Sequence, residues 1–141
     1  MLLVRERHNS IVELFKHHLR AGLTVSDEPN IDGLKPDLLN TDLDKKSALV
    51  QVSCPWDVNL DLAFNTKAEA YSSLPHPVLP LIIGALGTWH KRNNAVRAFC
   101  RLGRRCWSSL RLRMRVSNIE ATSKLVRTHL RGVNLSRPPD C

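Results

Sequence analysis

Glu28, Asp37, Gln51, Lys67 and Tyr71 are side chains of the types that phosphodiester chemistry uses, in an order that a sheet and one helix can bring together. Hydrolysis of a phosphodiester calls for a divalent cation to polarise the phosphoryl oxygen and lower the pKa of the attacking water. It also needs oxygens to hold that ion and a positive group against the developing charge. Asp37, after Pro36 at a strand end, has the place of a first metal ligand. A second ligand belongs on the same face of the neighbouring strand, and the residue there, after a gap of 13 residues, is Gln51. Lys67 and Tyr71 stand at i and i+4 on the helix that follows, so they are vertical neighbours. Glu28 fits an auxiliary metal-site acid and an ordinary hairpin charge equally well.

The elements that must position these groups are legible in outline. Ser10-x-x-Glu13 reads as a capping box, which predicts a helix over Ile11–Arg20 with Ile11, Leu14, Phe15 and Leu19 as its buried stripe and Gly22 as its stop. Leu23–Ser26 is a short strand candidate, Asp32–Gly33 a turn, and Leu34–Leu39 a second strand opened by Pro36. Asn40–Lys46 is rich in turn formers. Ser47–Cys54 is the clearest strand, with Ala48, Val50, Val52 and Cys54 on one face and Leu49, Gln51 and Ser53 on the other. Asp57 is placed to cap a helix over Val58–Ser73, along which Leu60, Phe64, Lys67 and Tyr71 share a side. Val78–Ile83 reads as a buried strand followed by a turn at Gly84 and Gly87. From Asn93 to Arg131 the pattern is helical, with weak breaks near Gly103 and Ser117; Gly132 and the SRPPDC tail end it.

Charge divides the chain. Residues 1–87 carry 8 Lys and Arg against 11 Asp and Glu, a net of −3, whereas residues 88–141 carry 13 against 2, a net of +11. The overall charge of +8 argues for a polyanionic partner, because each phosphate neutralised by Lys or Arg releases condensed counterions. Arg97, Arg101, Arg104, Arg105, Arg111, Arg113 and Arg115 are the candidates for phosphate contact, and helical spacing places Arg104, Arg111 and Arg115 on one broad face. The same division predicts an α/β core over 1–87, a basic α-helical extension over 88–131 and a disordered tail over 132–141.

Cys54, Cys100, Cys106 and Cys141 are too irregularly spaced for a metal-binding pair, and no secretory leader precedes them, which suits reduced thiols in a nuclear or cytoplasmic protein that is not secreted. His17 and His18 are adjacent, and His8, His76, His90 and His129 lack a cysteine at ligand spacing, so the histidines read as structural or solvent-facing. The longest apolar run, Val78–Leu86, is broken by Pro80 and Gly84 and falls far short of a membrane span. No motif calls for a small-molecule cofactor.

The succession RHN (Arg7–Asn9), EPNI (Glu28–Ile31), KPDLL (Lys35–Leu39), ALVQVSCPWD (Ala48–Asp57), K-x-x-x-Y (Lys67–Tyr71) and PLIIGALGTW (Pro80–Trp89) resembles the restriction-like endonuclease domain that closes the Pol polyprotein of site-specific non-LTR retrotransposons. The resemblance covers roughly residues 5–132. It implies a PD-(D/E)XK restriction-endonuclease-like fold, a mixed sheet flanked by helices, that nicks target DNA with Mg²⁺ to prime reverse transcription. DNA and the element RNA are the implied partners. By motif, Asp37 is the PD aspartate, Lys67 the lysine moved from the strand to the next helix, and Tyr71 its partner; Ser53 stands where other PD-(D/E)XK enzymes keep their lysine.

Three departures qualify the match. Gln51 replaces the strand aspartate, and a neutral amide brings no charge to a hard cation. The stretch between Tyr71 and Pro80 is shorter than the helix and strand usual there, which tells against a complete sheet. The zinc knuckle and reverse transcriptase that precede such a domain are missing, and Met1–Leu3 reads as a start inside an older frame. The expectation is a truncated, degenerate copy with impaired nicking; the rival is a non-catalytic nucleic-acid binder that works through its basic helices.

Overall fold

The computed structural model describes residues 2–19 and 23–136. Its first helix, α1, spans Leu2–His17 and so begins well before the capping box expected at Ser10. Ser10 lies mid-helix and its Oγ donates back to the Glu6 carbonyl at 2.8 Å, while Glu13 takes the Lys16 ammonium at 3.3 Å. The reason is tertiary. Ile11 and Phe15, both fully buried, form a stripe that continues one turn upstream as Arg7. The Arg7 guanidinium donates to the Cys54 carbonyl at 2.8 Å and to the Thr122 hydroxyl at 3.3 Å, which holds the first turns in place. The helix ends at His17, short of the expected Arg20, with the His18 and Leu19 N–H groups turned back on the Phe15 and Lys16 carbonyls; Arg20 and the stop at Gly22 lie outside the described residues.

Strands β1 (Thr24–Asp27), β2 (Leu38–Thr41), β3 (Ser47–Ser53) and β4 (Val78–Ile82) form one mixed sheet in that order. The β1–β2 and β2–β3 pairs are antiparallel, and β3–β4 is parallel, from Leu49↔Val78 to Ser53↔Ile82. A parallel pair needs a crossover, and helix α2 (Leu60–Ala70) supplies it. The segment after Tyr71 is therefore long enough to complete the sheet, contrary to the expectation from its length. Helix α2 starts after a single three-ten turn, Asp57–Asn59, so its N-cap is Asn59 rather than Asp57.

The second strand is displaced from its expected position. Ile31 and Leu34 exchange both backbone hydrogen bonds at 2.9 Å across Asp32 and Gly33, whose φ values of +50° and +84° suit a tight two-residue turn. That uses up Leu34, and Pro36 has no N–H to give a ladder, so pairing starts only at Leu38. It then runs into the stretch expected as turn and carries Asn40 into the core, fully buried, with its Nδ2 3.7 Å from the Cys100 sulfur.

One face of the sheet, with Leu38, Val50, Val52, Leu81 and Ile83, packs on Ile11 and Phe15 of α1, on Val96 and Cys100 of α3 (Asn94–Cys100), and on Trp107, Leu110 and Met114 of α4 (Arg104–Ser136). The opposite face, with Leu49 and Ile82, is covered by α2. The basic segment thus contributes to the same core as the acidic one. Arg101, with φ +52°, closes α3, and the Gly103 carbonyl accepts from Trp107 at 2.9 Å to open α4. Helix α4 passes Ser117 without the expected break and continues beyond Gly132 to Ser136. The remainder of the tail, 137–141, lies outside the described residues. Among the described residues no helix is long and apolar enough to cross a membrane.

Candidate functional site

The β2–β3 register sets Leu38 against Val50, so Asp37, one residue before β2, comes opposite Gln51 in the middle of β3. The Asp37 Oδ2 accepts the Val52 N–H at 2.8 Å and lies 3.0 Å from His8 Nε2 on α1. Gln51 is 3 % exposed, and its Oε1 accepts the Asp37 backbone N–H at 2.8 Å. The two residues do meet, but through side chain to backbone rather than as two ligands aimed at one point.

Helix α2 brings Tyr71, at its C-terminal end, and Lys67, one turn earlier, toward this pair. The Tyr71 hydroxyl pKa is raised by burial and by the Asp37 charge, against the opposing hydrogen bond with Gln51. Lys67 is half-buried and its charge reaches His8 and Cys54, yet among the described residues it forms no ion pair with Asp37. Burial pushes the Cys54 thiol up to about 11, which keeps it in the inert thiol form. Ser53 ends β3, paired with Ile82.

His8 is the residue that sequence reasoning set aside. Its pKa is raised, first by the hydrogen bond that His8 donates to the Asp37 carboxylate and then by the Asp37 charge, against burial and Lys67. The only signal for it was its place in the RHN string, since its partner lies 29 residues away. A group whose folded pKa lies above its unfolded value stabilises the fold fully below the unfolded pKa of about 6.5, and loses that contribution as pH rises through the folded value. The wild-type protein is therefore expected to lose urea resistance as pH rises above about 6.5. His8→Gln should flatten that dependence; an unchanged slope in the variant would show that another group controls it.

His8, Asn9, Val12 and Glu13 of α1 face Asp27, Glu28 and Asp37 across an open cleft of about 490 Å³. Glu28 donates its backbone N–H to the Asp37 carbonyl at 2.9 Å, so it sits beside the site, on a backbone with φ +40°. Lys16 counters Glu13 and Asp27 at 3.3 and 2.9 Å.

A Mg²⁺-type ion needs several oxygens in near-octahedral array, carboxylates chief among them. Here one Asp37 oxygen is taken by Val52 and His8, the Gln51 oxygen is taken by Asp37 itself, and no three His, Cys, Asp or Glu among the described residues are grouped to hold a metal. As they stand, these residues do not fit such a centre.

The basic residues separate into two kinds. Arg97 Nε donates to the Leu102 carbonyl at 3.2 Å, Arg101 pairs with Asp44 at 3.5 Å, Arg111 lies 5.3 Å from the Trp89 ring centroid, and Arg115 Nε donates to the Gly87 carbonyl at 2.7 Å. Arg97 and Arg115 are half-buried and tied to backbone carbonyls, whereas Arg101 and Arg111 are exposed beside one partner each. Arg104, Arg105 and Arg113 are exposed and have no ion pair among the described residues, and Lys124, Arg127 and Arg131, which the sequence reading passed over, are likewise exposed on α4. Arg113, Lys124, Arg127 and Arg131 recur at helical spacing along one side. No protein-family model matches the chain, and the curated proteins hold no match to it.

Proposed function

We propose that the chain is a nucleic-acid-binding domain on a restriction-endonuclease-like frame, related to the domain that closes the Pol protein of non-LTR retrotransposons, with its ancestral nicking site rewired. The observation that carries this reading is the bonding of Asp37. Its carboxylate serves Val52 and His8, and Gln51, in place of a second acid, serves the Asp37 backbone. The mixed sheet with helices on both faces supports the frame.

Binding rests on the six exposed cations of α4, which meet phosphates rather than base edges and so give little sequence preference. If about five of them contact phosphate, log K for duplex DNA should fall with log salt at a slope of about −4 to −5. Arg113→Gln, Arg127→Gln and Arg131→Gln together should flatten that slope by about 3. Arg111 and Arg115, which also contact Trp89 and the Gly87 carbonyl, are poor targets for this test because changing them alters packing as well as charge. Affinity indifferent to salt or to the triple change would remove the nucleic-acid reading.

The second reading, metal-dependent nicking, is favoured by the convergence of Asp37, Gln51 and Tyr71 near Lys67. Incubation of supercoiled plasmid with the protein and Mg²⁺ separates the two. DNA binding without nicking supports the binder; Mg²⁺-dependent nicking that Asp37→Asn abolishes would establish the nuclease instead.

A further inference from the structure

Helix α4 is apolar on two sides. Its buried stripe is Trp107, Leu110, Met114 and, less apolar, Asn118 and Thr122. On the other side Leu112, Val116, Ile119, Val126 and Leu130 remain 61, 44, 43, 42 and 55 % exposed. With Ser123 these residues follow one another at intervals of four, three, four, three and four, which is the heptad spacing of a coiled-coil seam. Isolated apolar residues on a surface call for no explanation, but five of them in heptad register along one side of a helix, interrupted by Ser123 alone, do. The seam also opens at one flank onto an apolar groove of about 460 Å³ that Leu14 of α1 shares with Leu112 and Val116.

We propose that this seam is the interface for a second copy of the chain, paired as a parallel, in-register two-stranded coiled coil of α4 with α4. The charges beside the seam select that arrangement. In heptad terms Leu112, Ile119 and Val126 take the d positions and Val116, Ser123 and Leu130 the a positions, with Arg113, Glu120 and Arg127 at e and Arg115, Thr122 and His129 at g. Parallel in-register pairing covers all five exposed apolar residues and sets Arg115 of each copy, whose Nε alone is spent on Gly87, toward Glu120 of the other. The antiparallel register that covers the same five residues sets Arg113 against Arg127 and Glu120 against itself, which is repulsive at both places. Antiparallel registers shifted by a heptad relieve this repulsion only by leaving Leu112 or Leu130 uncovered.

Trp107, Leu110 and Met114 lie on the side of α4 away from the seam, while buried Thr122 and the Gly87 turn, which touches Ile119 and Arg115, border it at the g flank. Three heptads make a marginal coiled coil when the helix must form on association. Here the buried stripe already holds α4, and the cost of helix formation is not charged to the dimer. Each copy carries +8, and that repulsion is screened by salt. Association should therefore strengthen with salt, whereas DNA binding weakens, and the dimer would carry a basic stripe on each side of its seam.

Sedimentation equilibrium of the full chain decides the matter. The expected result is a 16.0 kDa monomer at low concentration passing to a dimer with a dissociation constant on the order of 10 µM, tighter at about 0.5 M than at about 0.1 M salt. Leu112→Asp with Val126→Asp should weaken dimerisation at least about tenfold while the melting curve of the dilute monomer is unchanged, because both residues are exposed. Leu130→Asp alone serves as the second variant if that pair lowers the melt. In a Cys141→Ser background, Ser123→Cys, which faces its own copy only in the parallel register, should yield a disulfide dimer under oxidation that the background chain does not give. A chain that stays monomeric at about 200 µM leaves the seam to another polypeptide and overturns the proposal. A dimer that survives the aspartate changes, or one that gives no Ser123→Cys cross-link, overturns it as well.

Discussion

Asn93→Ala is expected to cost about 2–4 kcal/mol of stability, more than any single change at the candidate site. Asn93 is fully buried; its Oδ1 accepts the Ile82 N–H at 2.9 Å and its Nδ2 donates to the Ile82 carbonyl at 2.8 Å. The side-chain amide thus acts as a short piece of a further strand on the outer edge of β4, whose other edge is paired with β3. Removing it leaves one donor and one acceptor in a sealed place, and each orphan costs about 1–3 kcal/mol. The His90 N–H, 3.4 Å from the same carbonyl, recovers only part of one. For a chain of this length the loss corresponds to about 10 °C in melting temperature. Urea unfolding followed by tryptophan fluorescence measures it, since Trp107 is 5 % exposed and changes environment on unfolding. A loss below about 1 kcal/mol would mean that water takes over both bonds. Asn93→Asp should do no better, because it gives up the donor and buries a charge.

How far the sequence reveals this molecule depends on the range of the interactions concerned. The strand over Ser47–Ser53, the turn at Asp32 and Gly33 and a helix carrying Lys67 are local patterns, and the structure contains all three, though the strand is buried on both faces and the helix ends at Ala70, before Tyr71. The start of α1 is not local. Ser10 has the residue types of a capping box around it, but Arg7 finds its partners 47 and 115 residues away, and those contacts extend the helix past the cap. The same holds for His8 and for Asn93, polar residues whose function lies in a distant partner that no spacing announces. Arg104, Arg111 and Arg115 share a helical face by spacing alone, yet Trp89 and the Gly87 carbonyl claim two of them. Spacing places the charges on a face, but the neighbours that share them come from distant parts of the chain. Asp37 and Gln51 do come opposite each other as their spacing suggests, but that the Gln51 amide is spent on the Asp37 backbone N–H is a contact no spacing announces.

Gln51→Asp is expected to turn that arrangement around and raise the protein's affinity for Mg²⁺ above that of the wild-type chain. The new carboxylate would stand opposite Asp37 at a position only 3 % exposed, next to Tyr71. Two like charges at such a place either force one to take up a proton or weaken the fold. Without metal the variant should therefore be less stable than the wild type by about 1–3 kcal/mol, including the bond to the Asp37 N–H that the shorter side chain gives up. A divalent cation that binds only the folded state returns stability as its concentration rises above the dissociation constant, by about 2.7 kcal/mol at a hundredfold excess. Thermal melts of both proteins with and without Mg²⁺, joined to calorimetric titration, give a readout that does not depend on nicking. Rescue of the variant alone would show that one amide separates this pocket from a metal site. Equal melts in both proteins, with no heat of binding, would mean that the position of Gln51 lies outside any such site and that the cleft between α1 and Asp37 serves the His8 contact alone.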